Sequence, residues 1–372
     1  MDQMGEALKA ETQRVSPHPD AFERTLEKAR SRASRQRNRA LGLGLALTLA
    51  LVAGVLYLPQ GSDVPPMGEI GDVDVTLPGA AIAGASDSSS VALVSCASQC
   101  NQTDFSGLVS WIDASTGSLK GSAPIASPID VGVADGSVWV ASWSTGDLLR
   151  IDVSSGEVTQ AIPLSLMGDS ENGTYLPSGV ATGEGSVWVT TARGQIDRFD
   201  EASGEKVDSA SLPAKAPGDL AVAAGSVWMA DVVGGLLQIP TDDLGHPRPL
   251  PISSGEDVMA VSVVAASDDF VAAVGVWAVP TDDGDYRATN EAALAQLDAR
   301  TGQVISIAPV QLGSTLHSGD GDVWLYSEES GAQRLTGSGL EAGIDLPGEL
   351  AAIAQGRLWA VDSQGTVSAT GS

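Results

Sequence analysis

The chain has 372 residues with 43 glycines, only 4% aromatics and a formal net charge of −27. That composition excludes a helical bundle and describes a turn-rich all-β protein, because glycine supplies the positive backbone angles that tight turns need. The charge is split by position: the first 39 residues hold 9 Lys and Arg against 6 Asp and Glu, and residues 59–372 hold 11 against 41, giving +3 and −30. The acidic part repels nucleic acid and anionic lipid, so neither is expected as its partner.

In chain order, the leader comes first. Asp20 and Glu23 form a capping-box pattern after Pro19, and Phe22, Leu26, Ala29 and Ala33 then share one helical face. Met4, Leu8, Thr12 and Val15 give a second short helical pattern. Residues 1–39 read either as a docking element for a cytoplasmic partner or as a juxtamembrane helix whose basic face meets lipid headgroups.

Ala40 to Leu58 is nineteen residues without a charge, which at the helical rise matches the ~30 Å hydrocarbon core. The basic run Lys28, Arg30, Arg32, Arg35, Arg37 and Arg39 precedes it, which orients the N-terminus to the cytoplasm and residues after Pro59 outside. The long leader and the lack of a nearby small-x-small site favour an uncleaved anchor over a signal peptide. Gly42, Ala46, Ala50 and Gly54 recur at every fourth position, a spacing that allows close helix approach but that an Ala/Gly/Leu-rich segment also produces by chance. The expected organisation is a leader (1–39), a transmembrane helix (40–58), a linker (59–71) and an extracytoplasmic domain (72–372).

Cys96 and Cys100 both fall in the outside part, where thiols oxidise, and a structural disulfide between them is expected. No metal site is expected, since His246 and His317 belong to no cluster with ligand spacing.

Two patterns then recur in step. Gly-x-(Val/Leu)-Trp occurs at Gly136–Trp139, Gly185–Trp188, Gly225–Trp228, Gly321–Trp324 and Gly356–Trp359, with Phe270 to Trp277 as a degenerate copy. Asp-x-x-(Ser/Thr)-Gly occurs at Asp113, Asp152, Asp200 and Asp298. One unit holds four β-prone runs separated by turn signals, hence four antiparallel strands. Val138 and Val140 point to one face and Trp139 to the other, so both faces are packed. Radially stacked four-stranded sheets satisfy this, and that is a β-propeller.

The units fall near residues 88–127, 128–170, 176–213, 217–253, 258–309, 310–347 and 348–372, giving about seven blades. The last unit lacks a fourth strand, and Asp72 to Pro78 resembles the fourth-strand stretches GEVTQAIPL and GQVISIAPV. This segment is expected to complete the last blade.

The stretch GSVWVASWSTGDLLRIDVSSGEV resembles repeats of bacterial YVTN-type and virginiamycin B lyase-like propellers over residues 72–372. The resemblance implies the fold, and it carries no activity here because neither His246 nor His317 sits in a matching blade motif. The turns, as in LDARTGQVI, also resemble quinoprotein repeats of the PQQ type. In those the Trp follows the turn, whereas here it precedes it, and no cofactor is expected. Fifteen arginines against five lysines and the high Ala/Gly content suggest an actinobacterial chain. The leader is similar to those of actinobacterial membrane proteins associated with sigma-factor signalling.

Asp282, Asp283 and Asp285 crowd the longest insertion, Thr281 to Glu291, and long loops on rigid scaffolds carry binding. Trp143 lies off the repeat position and is a second ligand-binding candidate, with Trp111 and the loop Met167 to Leu176 as weaker ones. No Ser, Cys or paired-acid constellation for catalysis is recognisable. The sequence therefore reads as a membrane-anchored propeller that binds an outside protein or small molecule, as sensor or scaffold; the alternative is an extracytoplasmic enzyme of the lyase-like or quinoprotein-like class.

Overall fold

The strands of this chain are short, mostly five to eight residues, because a glycine-led turn interrupts each hydrophobic run. The computed structural model describes residues 73, 75–96, 105–164, 176–214, 216–232, 235–281 and 286–371. These belong to the second of the chain's two units, Pro65–Ser372. The leader (1–39), the expected span (40–58) and the linker (59–71) lie outside the described residues. Among the described residues no helix is long and apolar enough to cross a membrane.

Among the described residues twenty-eight strands form seven antiparallel sheets. Blade 1 is β1 (Ala81–Ser86), β2 (Ser90–Ser95), β3 (Ser106–Asp113) and β4 (Leu119–Ala126). Blade 2 is β5 (Pro128–Ala134), β6 (Ser137–Ser142), β7 (Asp147–Asp152) and β8 (Val158–Pro163). Blade 3 is β9 (Pro177–Gly183), β10 (Ser186–Thr191), β11 (Gln195–Asp200) and β12 (Lys206–Ser211). Blade 4 is β13 (Pro217–Ala223), β14 (Ser226–Asp231), β15 (Gly235–Pro240) and β16 (Arg248–Leu250). Blade 5 has five strands: β17 (Ser253–Ser254), β18 (Asp257–Ala266), β19 (Phe270–Pro280), β20 (Tyr286–Asp298) and β21 (Val304–Val310). Blade 6 is β22 (Thr315–Gly319), β23 (Asp322–Ser327), β24 (Gly331–Thr336) and β25 (Gly339–Leu340). Blade 7 is β26 (Glu349–Ala354), β27 (Arg357–Val361) and β28 (Val367–Gly371).

The place of a fourth strand in blade 7 is taken by a short segment from the other end of the domain, paired through one bridge. Thr76 bridges Thr366 antiparallel, the N–H of Leu77 donates to the Gly365 carbonyl (2.8 Å) and the N–H of Val367 donates to that of Val75 (3.0 Å). Val75 and Leu77 are buried against Val91, Ile112 and Trp359. The ring is thus closed by an early segment of the domain.

The described core divides into seven apolar clusters, one at each junction between neighbouring blades. Trp139 packs toward blade 3 with Phe199 and Val187, while Val138 and Val140 pack toward blade 1 with Val109 and Ile125. The alternation read from the sequence therefore links each blade to both neighbours. The glycine of Gly-x-(Val/Leu)-Trp also has a local cause. It follows a residue with positive φ, as in Asp135–Gly136, Glu184–Gly185, Ala224–Gly225, Asp320–Gly321 and Gln355–Gly356. Two successive positive φ values make the type I′ turn that suits a two-residue hairpin.

Blade 5 differs from expectation. The residue equivalent to the repeat tryptophan is Ala272, paired with Gln296, and Trp277 lies further along β19 opposite Met259. Blade 1 also lacks the tryptophan: Ala92 takes its place, and Trp111 on the paired strand fills the space instead. β1 lies ahead of the expected start of blade 1 at residue 88.

Candidate functional site

An antiparallel four-stranded blade has two unlike ends. The turns joining first to second and third to fourth strands share one end, called here the turn end. The connections joining second to third strands, and one blade to the next, share the other, the loop end.

The turn end is occupied by structure. In each Asp-x-x-(Ser/Thr)-Gly turn the aspartate caps its own loop: Oδ1 of Asp152 accepts the N–H of Ser154 (3.0 Å) and of Ser155 (2.7 Å), with Gly156 at φ 74°. These bonds favour the charged form and hold the Asp113, Asp152, Asp200 and Asp298 carboxyls below the usual range, the side-chain or backbone N–H and O–H donors of Ser115, Ser154, Ser203 and Thr301 being the largest causes.

The connections between third and fourth strands, with or without this motif, receive donors from the preceding blade. Trp111 Nε1 donates to the Val153 carbonyl (3.0 Å), Arg150 to Ala202 (2.7 Å), Arg198 to Thr241 (3.0 Å), Arg248 to Thr301 (2.6 Å) and Gln296 to Thr336 (3.1 Å). Arg357 of blade 7 donates to Ala114 (3.0 Å) and Ser115 (2.9 Å) of blade 1. Between blades 6 and 7 the N–H of Gly356 donates to Asp320 (2.8 Å). Arg150 and Arg198 also lie over Trp139 and Trp188, at 5.2 and 5.1 Å from the ring centroids.

The loop end carries the longer connections and the candidates named from sequence. Trp143 is half-buried in the β6–β7 turn, its backbone N–H bonded to the Ser127 carbonyl (2.9 Å). Asp282, Asp283 and Asp285 fall between β19 and β20 and lie outside the described residues, as does most of the loop Met167 to Leu176. Cys96 is buried at the end of β2 and is disulfide-bonded, while Cys100 lies outside the described residues. Trp111, by contrast, is fully buried between blades 1 and 2.

Three large apolar side chains stand out into solvent at the loop end: Val232 after β14, Tyr286 at the start of β20 and Leu312 after β21. They follow one another around blades 4, 5 and 6. At the junction of blades 1 and 2 an open cavity of about 390 Å³ is lined by Phe105, Pro124, Ile125, Ser127 and Ser144.

The channel wall is formed by the first full strand of each blade: β1, β5, β9, β13, β18, β22 and β26. These seven strands contain no Lys or Arg, and their ionisable residues are Asp130, Asp219, Asp257, His317 and Glu349. Sequence reasoning missed Asp130 and Asp219, although both follow the pattern Pro-x-Asp, at Pro128 and Pro217. Asp130 accepts the N–H of Val131 (2.9 Å) through Oδ1 and that of Val180 in blade 3 (2.7 Å) through Oδ2. Asp219 accepts Leu220 (2.9 Å) and Val264 in blade 5 (3.0 Å) in the same way. Burial pushes Asp130 up to about 6. Burial, with the Asp130 charge added, pushes Asp219 up to about 7. Burial lowers His317 to about 4, and its Nε2 lies 3.2 Å from Thr315 Oγ1. Among the described residues no group of three His, Cys, Asp or Glu is placed to hold a metal.

Comparison with known proteins bears on the fold. The chain is similar to Kuenenia stuttgartiensis hydrazine synthase at 12% identity and a TM-score of 0.55, covering 82% of this chain and 99% of that one. It is similar to the Neurospora crassa Pan2 WD40 domain at 10% identity and a TM-score of 0.55, covering 79% and 89%. The RRP9 WD40 repeats give 10% identity and a TM-score of 0.56, covering 79% and 94%. This chain is a seven-bladed β-propeller. No protein-family model matches it, and neither does any curated protein sequence. At these identities the likeness extends to the fold alone.

Proposed function

We propose that this propeller is a membrane-anchored extracytoplasmic interaction scaffold that binds its partner through the loop end. The observation that carries the reading is the asymmetry of the ring. Polar groups at the turn end are engaged across all seven blade junctions, whereas the loop end holds the long connections and Trp143, with Val232, Tyr286 and Leu312 exposed beside them; the apolar side chains exposed near the turn end, Leu119, Val158 and Val304, begin the outer strands β4, β8 and β21. Exposed apolar side chains on a strongly acidic domain suit a protein partner better than a small anion.

The anchor rests on the uncharged run Ala40 to Leu58 and the basic run before it. On this reading the ring outside is tied to a short leader inside, through which occupancy is communicated to a cytoplasmic partner of the sigma-factor signalling class. Isolation of complexes from a membrane fraction, using the intact protein and a form lacking residues 1–36, tests it. Loss of a cytoplasmic partner from the shortened form alone supports the signalling part, and identical partner sets remove it.

A further inference from the structure

Val131, Val180, Leu220 and Val264 occupy equivalent positions in four consecutive blades. Each lies opposite the fourth residue of its blade's Gly-x-(Val/Leu)-Trp strand or that strand's equivalent: Val140, Val189, Met229 and Ala273. Their N–H groups therefore stand at one level of the channel. Two carboxylates cap all four. Asp130 joins blade 2 to blade 3, and Asp219 joins blade 4 to blade 5. An innermost strand has one edge without a strand neighbour, and its N–H groups need acceptors from elsewhere.

We propose that Asp130 and Asp219 form a proton-binding belt on the channel wall, and that proton uptake tightens the ring. The geometry sets two carboxylates at one level of the channel wall. The strands packed against β5 and β13 are β1, β2, β3, β6, β9, β10, β14 and β18. Their ionisable residues are Asp113, Asp231 and Asp257, all acidic, and none of these strands carries a Lys, Arg or His to offset the charge. Asp113 is committed to its own turn, and Asp231 accepts the N–H of Ala216 (3.0 Å). His317, on β22, is held neutral in this range by burial.

A carboxylic acid keeps the caps that the carboxylate makes. Its carbonyl oxygen accepts one N–H, its hydroxyl oxygen accepts the other, and the proton points away into the lumen. Neutralisation thus relieves the cost of a charge held out of water and the repulsion of Asp130 on Asp219, and these outweigh the weakening of the four caps. The sign follows from the raised carboxyls, at about 6 and about 7. The folded ring binds protons that the unfolded chain releases, so stability rises as pH falls through 7 toward 5. Carboxylates with ordinary values stay ionised over that interval. The belt stands independently of the scaffold reading.

The test is thermal unfolding of the full-length protein between pH 7.5 and 5.5, beside a variant carrying Asp130→Asn and Asp219→Asn. The melting temperature of the native protein is expected to rise by about 3 °C or more on acidification, and that of the variant to stay level over the interval. Equal pH responses in the two would overturn the proposal. An amide nitrogen faces an N–H at one cap of each Asn, so the variant is weakened in any case. If it fails to fold, carbon-13 NMR of the native protein labelled at aspartate carboxyls decides: two aspartates titrating between pH 5 and 8 support the belt, and titration of every aspartate below pH 5 overturns it.

Discussion

Thr76 pairs antiparallel with Thr366, so the first described stretch of the domain completes the sheet that holds its last strand. Because Val75 and Leu77 enter the same apolar cluster as Trp359 and Val91, this short pairing fastens blade 7 to blade 1 and closes the circle. Deleting residues 72–78 is expected to broaden and lower the unfolding transition, and Leu77→Ala to cost about 2–4 kcal/mol. Calorimetry of the two variants checks this; an unaltered transition in the deletion would sink the closure account.

Gly84 probes the same seam from the channel side. A Cβ placed there would strike the backbone carbonyl oxygen of Ala351 in blade 7. Gly84→Ala should force the two blades apart at a cost of about 1–3 kcal/mol, read as a lower denaturant midpoint. Gly218→Ala, where a Cβ meets only ordinary contacts on another inner strand, is the control.

The indoles test the radial packing. Trp139 is fully buried between blades 2 and 3, and Trp139→Ala is expected to cost about 3–5 kcal/mol. Trp111→Phe keeps most of the apolar volume but loses the bond to the Val153 carbonyl, and should cost about 1 kcal/mol. Urea titrations should preserve that order.

The Asp turns predict an acid limb. The carboxyls of Asp113, Asp152, Asp200, Asp298 and Asp362 lie below their unfolded values. Their contribution is therefore full above about pH 4 and is lost as pH falls toward about 2. Melting temperature should drop across that range. Asp152→Asn, which keeps an Oδ1 acceptor but has no charge to lose, should melt lower than the native protein at pH 7 and show a shallower drop in acid.

The pattern that made the ring legible in sequence is local. A type I′ turn demands glycine at Gly136 or Gly225, and the tryptophan that follows fills a junction between blades, so the fold and a count of about seven blades could be read from spacing. Blade 5 was harder because Ala272 stands where a tryptophan would, and Trp277 suggested a register that the pairing with Met259 does not support. β1, with the sequence AIAGAS, carries no such marker, since close approach to blade 7 requires small residues there. The channel carboxylates were hidden for another reason. Asp130 and Asp219 bond to backbone N–H groups of Val180 and Val264 in the next blade, and a backbone amide leaves no signature in the sequence.

The central claim is that the loop end binds and the turn end holds the ring together. Its most direct test compares the proteins retained by three membrane-extracted forms: native, a loop-end form (Trp143→Ser, Val232→Ser, Tyr286→Ser and Leu312→Ser) and a turn-end form. The turn-end form is Glu184→Gln, a residue whose carboxylate accepts from Gly225 and Thr241 of the next blade. With all three folded by calorimetry, the account predicts a partner held by the native and turn-end forms and lost from the loop-end form. Retention of the same partners by the loop-end form would contradict it.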